Sequence, residues 1–196
     1  RAISAKKDEP EWMLQMRLDA LDKYHARPMA DNWGPSIAGL DLDHISTYVS
    51  PKTKQAKSWD DVPADIKDTF DRLGIPAAER ESLAGVGAQY DSEIVYHNMR
   101  EDVAKQGVVY TTIEDALHDP KWEPVVHEYF GTLIPPTDHK FAALHYAVWS
   151  GGSFVYVPAG VTLDYPLQSY FRLNAQGAGQ FEHTLIIVEP GADLHF

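Results

Sequence analysis

The last part of the chain contains its strongest hydrophobic pattern. Three apolar runs follow one another at 154–157, 167–173 and 184–188, and a shorter run occupies 194–196. Each run is rich in aromatic and β-branched residues, which suit a half-buried pleated surface, and glycine or proline separates the runs. The pattern therefore predicts a succession of short β-strands.

The first and third of these runs end in similar turns. Val157-Pro158-Ala159-Gly160 and Val188-Glu189-Pro190-Gly191 each combine a proline, which fixes φ, with a glycine, which can adopt positive φ. The two prolines are about thirty residues apart, a spacing typical of a β-solenoid in which one coil stacks on the next. A sandwich or a cupin-like barrel with two Pro-Gly turns explains the same pattern, and the residues alone leave these alternatives open.

The pattern is mainly helical before Gly151. Asp8-Glu9-Pro10 can begin a helix, and the leucines that follow recur at helical spacing. The stretch 28–58 is predicted to be a loop, and Gly85-Val86-Gly87 a plain turn. The other predicted elements are two short helices within 59–83, a helix over 93–106, a strand at 108–110, helices around Ala116 and over 125–130, and a helix capped by Thr137 or Asp138.

Two breaks in the sequence suggest how the chain is divided. Pro135-Pro136 and Gly151-Gly152 separate nearly all helix signals from nearly all strand signals of the last fifty or so residues. We therefore predict an α+β fold, with a helical N-terminal domain over 1–150 that folds on its own. The β region over 151–196 follows it.

Composition limits the classes of function. The 196 residues are 44% hydrophobic and 23% charged, which is typical of a globular protein. The net charge of −12 argues against nonspecific binding to nucleic acid or to an anionic membrane surface, because both need basic patches. No apolar run approaches the ~20 residues that span a bilayer, and no signal-peptide pattern is visible. The chain has no cysteine, which excludes disulfides within it.

The run at 167–173 contains a candidate site. Strand alternation places Arg172 and Asn174 on one face with Tyr170, and Phe171 and Leu173 on the other, which is predicted to be core. A cation and an amide in such apolar surroundings have two explanations. They belong either to a solvated outer face or to the polar lining of a groove or tunnel.

Glu182, His183 and His195 are the candidate metal ligands of the β region. A metal site needs three or four converging ligands, and the chain has no HxH, HExxH or CxxC motif. A surface or packing role is therefore favoured for both histidines, and no residue lies in a recognisable nucleophile motif. A small β-solenoid or cupin-type metalloenzyme that uses these three residues is the competing hypothesis for the function.

Five stretches of the chain carry a resemblance to a known family. They are EPEWMLQMRLDAL, GVGAQYDSEIVYHNMRE, KFAALHYAVWSGG, WSGGSFVYVPAGV and PLQSYFRLNAQGAGQFEHTLIIVEPGADLHF. They resemble the SufB/SufD family of scaffolds in the SUF system of iron–sulfur cluster assembly. GVGAQYDSE and GQFEHTLIIVEPGA are closer to its SufB branch. The resemblance extends over the whole chain and identifies it with the N-terminal portion of such a protein.

The resemblance implies a fold and a function. The fold is a helical N-terminal domain followed by the first coils of a right-handed parallel β-helix. The function is that of a cytoplasmic, non-enzymatic scaffold that works with the SufC ATPase, with SufD or a second SufB copy, and with a sulfur donor. The full-length protein would carry a transient iron–sulfur cluster, whose ligands lie beyond residue 196, and the need for a flavin is left open. No cofactor is expected on the present residues.

The resemblance also gives a role to two residues. The family's arginine and asparagine that line the β-helix interior and support sulfur passage match Arg172 and Asn174. A sulfur chain in transit is anionic, so a guanidinium and an amide would stabilise it in a channel of low dielectric.

Overall fold

The computed structural model describes residues 1–29, 34–37, 39, 41–50, 55–56, 58–72 and 83–196. Helices and short strands alternate within these ranges. The helices are α1 (Ala2–Lys6), α2 (Glu11–Ala26), a 3-10 turn (Trp59–Asp61), α3 (Ala64–Arg72), α4 (Glu101–Ala104), α5 (Ile113–His118), α6 (Glu123–Tyr129) and α7 (Lys140–Val148). The strands are β1 (Gly85–Tyr90), β2 (Glu93–Met99), β3 (Val109–Thr112), β4 (Ser153–Val157), β5 (Leu167–Arg172) and β6 (Leu185–Val188).

The strands form two small mixed sheets. In the first sheet, β1 is central, pairing antiparallel with β2 and parallel with β5. In the second sheet, β4 is central, pairing antiparallel with β3 and parallel with β6. No closed barrel is formed by the described residues, so the barrel alternative is wrong for them. The three predicted strands of the last part of the chain are confirmed as β4, β5 and β6.

The two predicted Pro-Gly turns lie on one another. The parallel register that pairs Phe154 with Leu185 continues without a shift to the isolated bridge between Thr162 and Asp193. Between these points, the Gly160 backbone N–H donates to the carbonyl of Pro190 at 3.2 Å. The repeat seen in the sequence therefore corresponds to two segments stacked in parallel. A complete β-helix stays a prediction.

Strands replace a predicted turn and a predicted helix at 85–99. Gly85 and Gly87 lie in β1 and not in a turn, and a Cβ on Gly87 would come within 2.7 Å of the Tyr110 hydroxyl oxygen. The glycines thus allow a tyrosine of the second sheet to approach the backbone of the first. The apolar residues of 93–99 satisfied a helical spacing by chance, but pairing with β1 makes this segment a strand.

We expect Gly87→Ala to destabilise the protein by roughly 1–3 kcal/mol, because the added methyl group overpacks against the Tyr110 ring. Chemical denaturation of the variant and of the wild type measures the difference. Tyr110→Phe removes the nearest atom, so the double variant should lose less stability than the two single changes together. Equal stability of Gly87→Ala and the wild type would contradict this account of the glycine.

Most helix predictions are confirmed. In α3, Ile66 and Phe70 form the buried face, and the Thr112 hydroxyl caps α5 by accepting from the Asp115 backbone N–H at 2.9 Å. Helix α7 is capped by His139 and not by Thr137 or Asp138. The His139 Nδ1 atom accepts from the backbone N–H groups of Phe141 and Ala142. Helix α1 was missed, and the predicted helix near the end of 59–83 lies outside the described residues. The described part of 28–58 contains no helix or strand, as predicted.

The hydrophobic core extends across residue 150. One cluster joins Met13 of α2 and Trp149 to Phe154 of β4, and another joins Tyr110 of β3 to Leu167 of β5. All the described helices lie within 1–150, but β1, β2 and β3 lie there too, so this stretch is mixed and not purely helical. The domain limits stay a prediction. Among the described helices, none combines the length and apolarity that crossing a bilayer requires.

Candidate functional site

Arg172 is the last residue of β5 and pairs in register with Tyr90 of β1. Because directly paired residues of a parallel sheet share a face, Arg172 lies with Tyr90 and Tyr170, whose rings pack on the cluster that contains Phe70 of α3. The opposite face of this sheet meets Tyr110 of the second sheet. Arg172 therefore lies on the α3 side of its sheet, on the same face as Tyr170, as the strand alternation predicted. Its role in lining a tunnel stays a prediction.

One donor of the Arg172 side chain has no partner among the described residues. This donor is the Nε atom, which is buried. A buried N–H donor without an acceptor costs about 1–3 kcal/mol, so such a group indicates either strain or a missing partner. An anion in contact with this donor would remove the cost.

The neighbours of Arg172 are more exposed than predicted. Phe171 and Leu173 are 38% and 41% exposed, so their assignment to the core is wrong. In the described residues β5 is an outer strand of its sheet, with β1 as its neighbour. Asn174 follows the strand and is also exposed. An arginine with a buried donor thus lies beside an accessible amide at the end of one strand.

Asp91 holds the segment that follows β5. Its Oδ1 atom accepts from the backbone N–H groups of Asn174, at 2.7 Å, and Ala175, at 3.0 Å. Its own carbonyl accepts from the amide side chains of Gln89 and Gln180, at 2.9 and 2.7 Å. The site is therefore assembled from β1 and from the loop after β5, which are distant in sequence.

Gln89 extends this network into the second sheet. Its side chain is fully buried, with Nε2 donating to the carbonyls of Asp91 and Ser150 and Oε1 accepting from the Gly152 backbone N–H at 3.0 Å. Sequence reasoning missed both Gln89 and Asp91. The available signal was a polar side chain, Gln89, within the apolar run of β1 and an aspartate directly after it.

A buried ion cluster joins α1 to the strands. The Lys7 ammonium lies 3.1 Å from Glu93 of β2 and 2.6 Å from Glu114 of α5. Burial disfavours the charged form, but the two carboxylates outweigh it and raise the pKa of Lys7. Glu114 also accepts from the Gly151 backbone N–H at 2.7 Å. This cluster fixes the N-terminal helix against the segment that leads into β4.

A second buried group contains two histidines. His145 Nε2 lies 2.9 Å from His183 Nδ1, and Phe130 stacks on the His183 ring. Burial lowers the pKa of His145 to about 4 and that of His183 to about 3, so both are neutral at pH 7. Burial raises the pKa of Glu182, which accepts from the Thr184 hydroxyl at 2.9 Å.

The geometry does not favour the metalloenzyme hypothesis. His183 pairs with His145, whereas His195 is exposed and its carbonyl accepts from the Leu167 backbone N–H. In the ranges that the structure describes, no three histidine, aspartate or glutamate side chains are grouped so that they could hold a metal ion. Glu182, His183 and His195 are thus not brought together as a ligand set.

Comparison with known proteins gives a consistent result. The chain is 52% identical over 194 residues to the iron–sulfur cluster assembly protein SufB of Bacillus subtilis, covering 99% of this chain and 41% of that protein. It is 53% identical to a SufBD family iron–sulfur cluster assembly protein of Mycobacterium tuberculosis, covering 100% of this chain and 23% of the relative. A SufBD family protein of Staphylococcus haemolyticus is 50% identical, with coverage of 100% and 42%.

The chain is therefore homologous, over its whole length, to a segment of SufB and SufBD family iron–sulfur cluster assembly proteins. It spans less than half the length of these relatives. No family model matches the chain. That the matched segment is the N-terminal portion stays a prediction.

Proposed function

We propose that this chain is part of a non-enzymatic scaffold on which iron–sulfur clusters are assembled. The observation that carries the proposal is an identity of about one half, over the whole chain, to proteins named for iron–sulfur cluster assembly. The cluster is the cargo of the scaffold, and the residues described here are proposed to guide sulfur toward it.

Arg172 and Asn174 are the residues proposed to contact sulfur in transit. Sulfur delivered as a persulfide or polysulfide is anionic, and it needs donors that replace its hydration. The Nε donor of Arg172, which has no partner among the described residues, and the exposed amide of Asn174, two residues further on, offer such donors. Because Arg172 lies on the α3 side of its sheet, the proposed path follows that side and not the space between the two sheets.

The remaining parts of the proposal concern the complete protein. The parallel stacking of β4 and β6 supports the start of a right-handed parallel β-helix, which further coils would extend. The proposed partners are the SufC ATPase, which would supply the nucleotide hydrolysis, SufD or a second SufB copy, and a sulfur donor. The proposed location is the cytoplasm. A need for flavin in cluster assembly is a question for the complete protein.

We expect Arg172→Ala in the full-length protein to lower the rate of sulfur transfer from the persulfide donor by roughly tenfold or more. The reason is that a hydrogen bond to a charged group contributes about 1.5–3 kcal/mol. Asn174→Ala should act in the same direction but more weakly, since it removes no charge. Transfer is measured with a labelled persulfide donor and the purified scaffold.

Two comparisons make this experiment specific. Arg100→Ala serves as the matched control, because Arg100 is a partly exposed arginine that is paired with Asp102 at 2.7 Å. Cluster assembly from free sulfide should be unchanged in Arg172→Ala, because free sulfide bypasses the path. Normal transfer from the persulfide donor in Arg172→Ala would exclude the sulfur-path role.

A further inference from the structure

Asp91 has an unusual backbone conformation. Within the described ranges, Asp8 and Asp91 are the residues other than glycine with positive φ, at 49° and 54°. This left-handed conformation costs most residues about 1–2 kcal/mol, although aspartate and asparagine tolerate it best. The fold therefore maintains a strained conformation at the end of β1, where the ladder with β5 also ends.

The strained turn brings Asp91 into contact with the backbone of Arg172 and of the residues that follow it. Its backbone N–H donates to the Arg172 carbonyl at 2.8 Å, while its carboxylate accepts from the N–H groups of Asn174 and Ala175. The Gln180 side chain donates to the carbonyl of Asp91. Asp91 is only 6% exposed, so water competes little for these bonds.

We infer that Asp91 is a positioning residue for the sulfur path, acting through the backbone of 172–175. The inference rests on the proposed function of Arg172 and Asn174. Arg172 ends an outer strand, and its Nε donor has no partner among the described residues. The backbone clamp fixes the main chain of 172–175, and with it the positions from which the guanidinium and the neighbouring amide extend. Misplacement of about 1 Å can reduce a positioned reaction a hundredfold.

The chemistry of the clamp restricts which residues can form it. The residue at position 91 must tolerate positive φ. It must also have a side-chain oxygen at the position of Oδ1 that accepts from two backbone N–H groups. Asparagine meets both requirements, because its Oδ1 atom has the same position as that of aspartate. Glycine meets only the first, and alanine meets neither. We therefore expect the wild type and Asp91→Asn to transfer sulfur at similar rates. Asp91→Gly should be slower, and Asp91→Ala should be the slowest.

The test uses the full-length protein with Asp91→Ala, Asp91→Gly and Asp91→Asn. Amide hydrogen exchange of the peptide that covers 172–175 reports the clamp, and transfer from the labelled persulfide donor reports the path. Asp91→Ala and Asp91→Gly should lose amide protection at Asn174 and Ala175 and should transfer sulfur at least tenfold more slowly. Asp91→Asn should keep both properties, and all three should assemble clusters normally from free sulfide.

Asp8→Ala is the matched control, since Asp8 has nearly the same φ and lies at an exposed turn between α1 and α2. It should introduce similar backbone strain and leave transfer unchanged. If Asp91→Ala does not fold, the inference is tested with Asp91→Gly alone. Glycine removes the carboxylate but adopts positive φ without backbone strain.

Three outcomes would overturn the inference. The first is normal transfer in the alanine and glycine variants despite lost amide protection. The second is retained protection at Asn174 and Ala175 in these variants. The third is an equal loss with free sulfide, which would indicate a general structural role. Arg172→Ala tests the proposed function separately. Normal sulfur transfer in that variant would refute the sulfur path, and the inference about Asp91 would fail with it.

Discussion

Residues 1–150 expressed alone should show a broad thermal transition without cooperative unfolding. The reason is that two strands of the fragment lose a strand with which they pair in the complete chain. β3 loses β4, with which it pairs along its whole length, and β1 loses β5. The cluster around Trp149 loses Phe154, and the cluster around Tyr110 loses Leu167 and its neighbours. Each buried large side chain that loses its surroundings costs about 2–5 kcal/mol, which together exceeds a typical domain stability.

Circular dichroism and fluorescence melts of residues 1–150 and 1–196 provide the measurement. The longer chain is the control, because it contains all partners of the three described core clusters. It should give a sharper transition with coincident curves from the two probes. A cooperative, probe-independent melt of 1–150 would show instead that residue 150 separates independently folding units, as the sequence pattern alone suggests.

The sequence predicted β4, β5 and β6 because their signals are local. Aromatic and β-branched runs between proline and glycine identify a strand without knowledge of its partner. The segment of β1 lacks such a run, and the run Ile94-Val95-Tyr96 of β2 also fits a helical spacing. Gly85 and Gly87 acquire their role only when Tyr110 packs on them, and β1 pairs with β5, which is far along the chain. Pairing between distant segments therefore explains the missed strands.

The candidate site shows the same limit. Alternation and the family resemblance identified Arg172 and Asn174, but which element covers that face of the sheet depends on the position of α3, which the sequence does not give. Asp91 and Gln89 were missed because their hydrogen-bond partners are provided by segments distant in sequence. A polar residue in an apolar strand signals a buried contact. It does not identify the segment that makes the contact.

Buried charges were the hardest features to predict. Arg17 lies within a helix whose pattern assigned only leucines to the core, yet it is 2% exposed and paired with Glu9 at 2.5 Å. Its guanidinium also lies over the ring of Trp149. Hydropathy places arginine and glutamate in solvent unless the structure pairs them, and neither residue carries a local signal of such a pair.

The stability of the protein should fall as the pH is lowered from about 6.5 toward 4. His145 and His183 have their pKa values lowered by burial to about 4 and about 3, from an ordinary value of 6.5. Between these limits the unfolded chain binds protons that the folded chain does not, so folding becomes less favourable as the pH falls. Above about pH 6.5 the contribution of the two histidines to the free energy of unfolding is fully present. At pH 5 we expect the two histidines to have lowered the free energy of unfolding by about 2–4 kcal/mol relative to pH 7.5.

Replacing the pair should reduce this acid sensitivity. Chemical denaturation at pH 7.5 and pH 5 gives the change in unfolding free energy for the wild type and for the double variant His145→Phe, His183→Phe. Phenylalanine retains an aromatic ring beside Phe130 but binds no proton. His97, whose pKa burial also lowers to about 4, remains in both proteins and cancels in the comparison. The raised pKa of Glu182 acts in the opposite direction, so the net loss is smaller than the histidines alone would give.

His25→Phe is the control for the loss of a histidine, because His25 is exposed near the end of α2. It should leave the difference between pH 7.5 and pH 5 unchanged. An acid loss that is equal in the wild type and the double variant would show that His145 and His183 become charged without unfolding. The buried pair and its contact with Phe130 would then have to open locally, and hydrogen exchange across 181–184 at pH 5 would detect that opening.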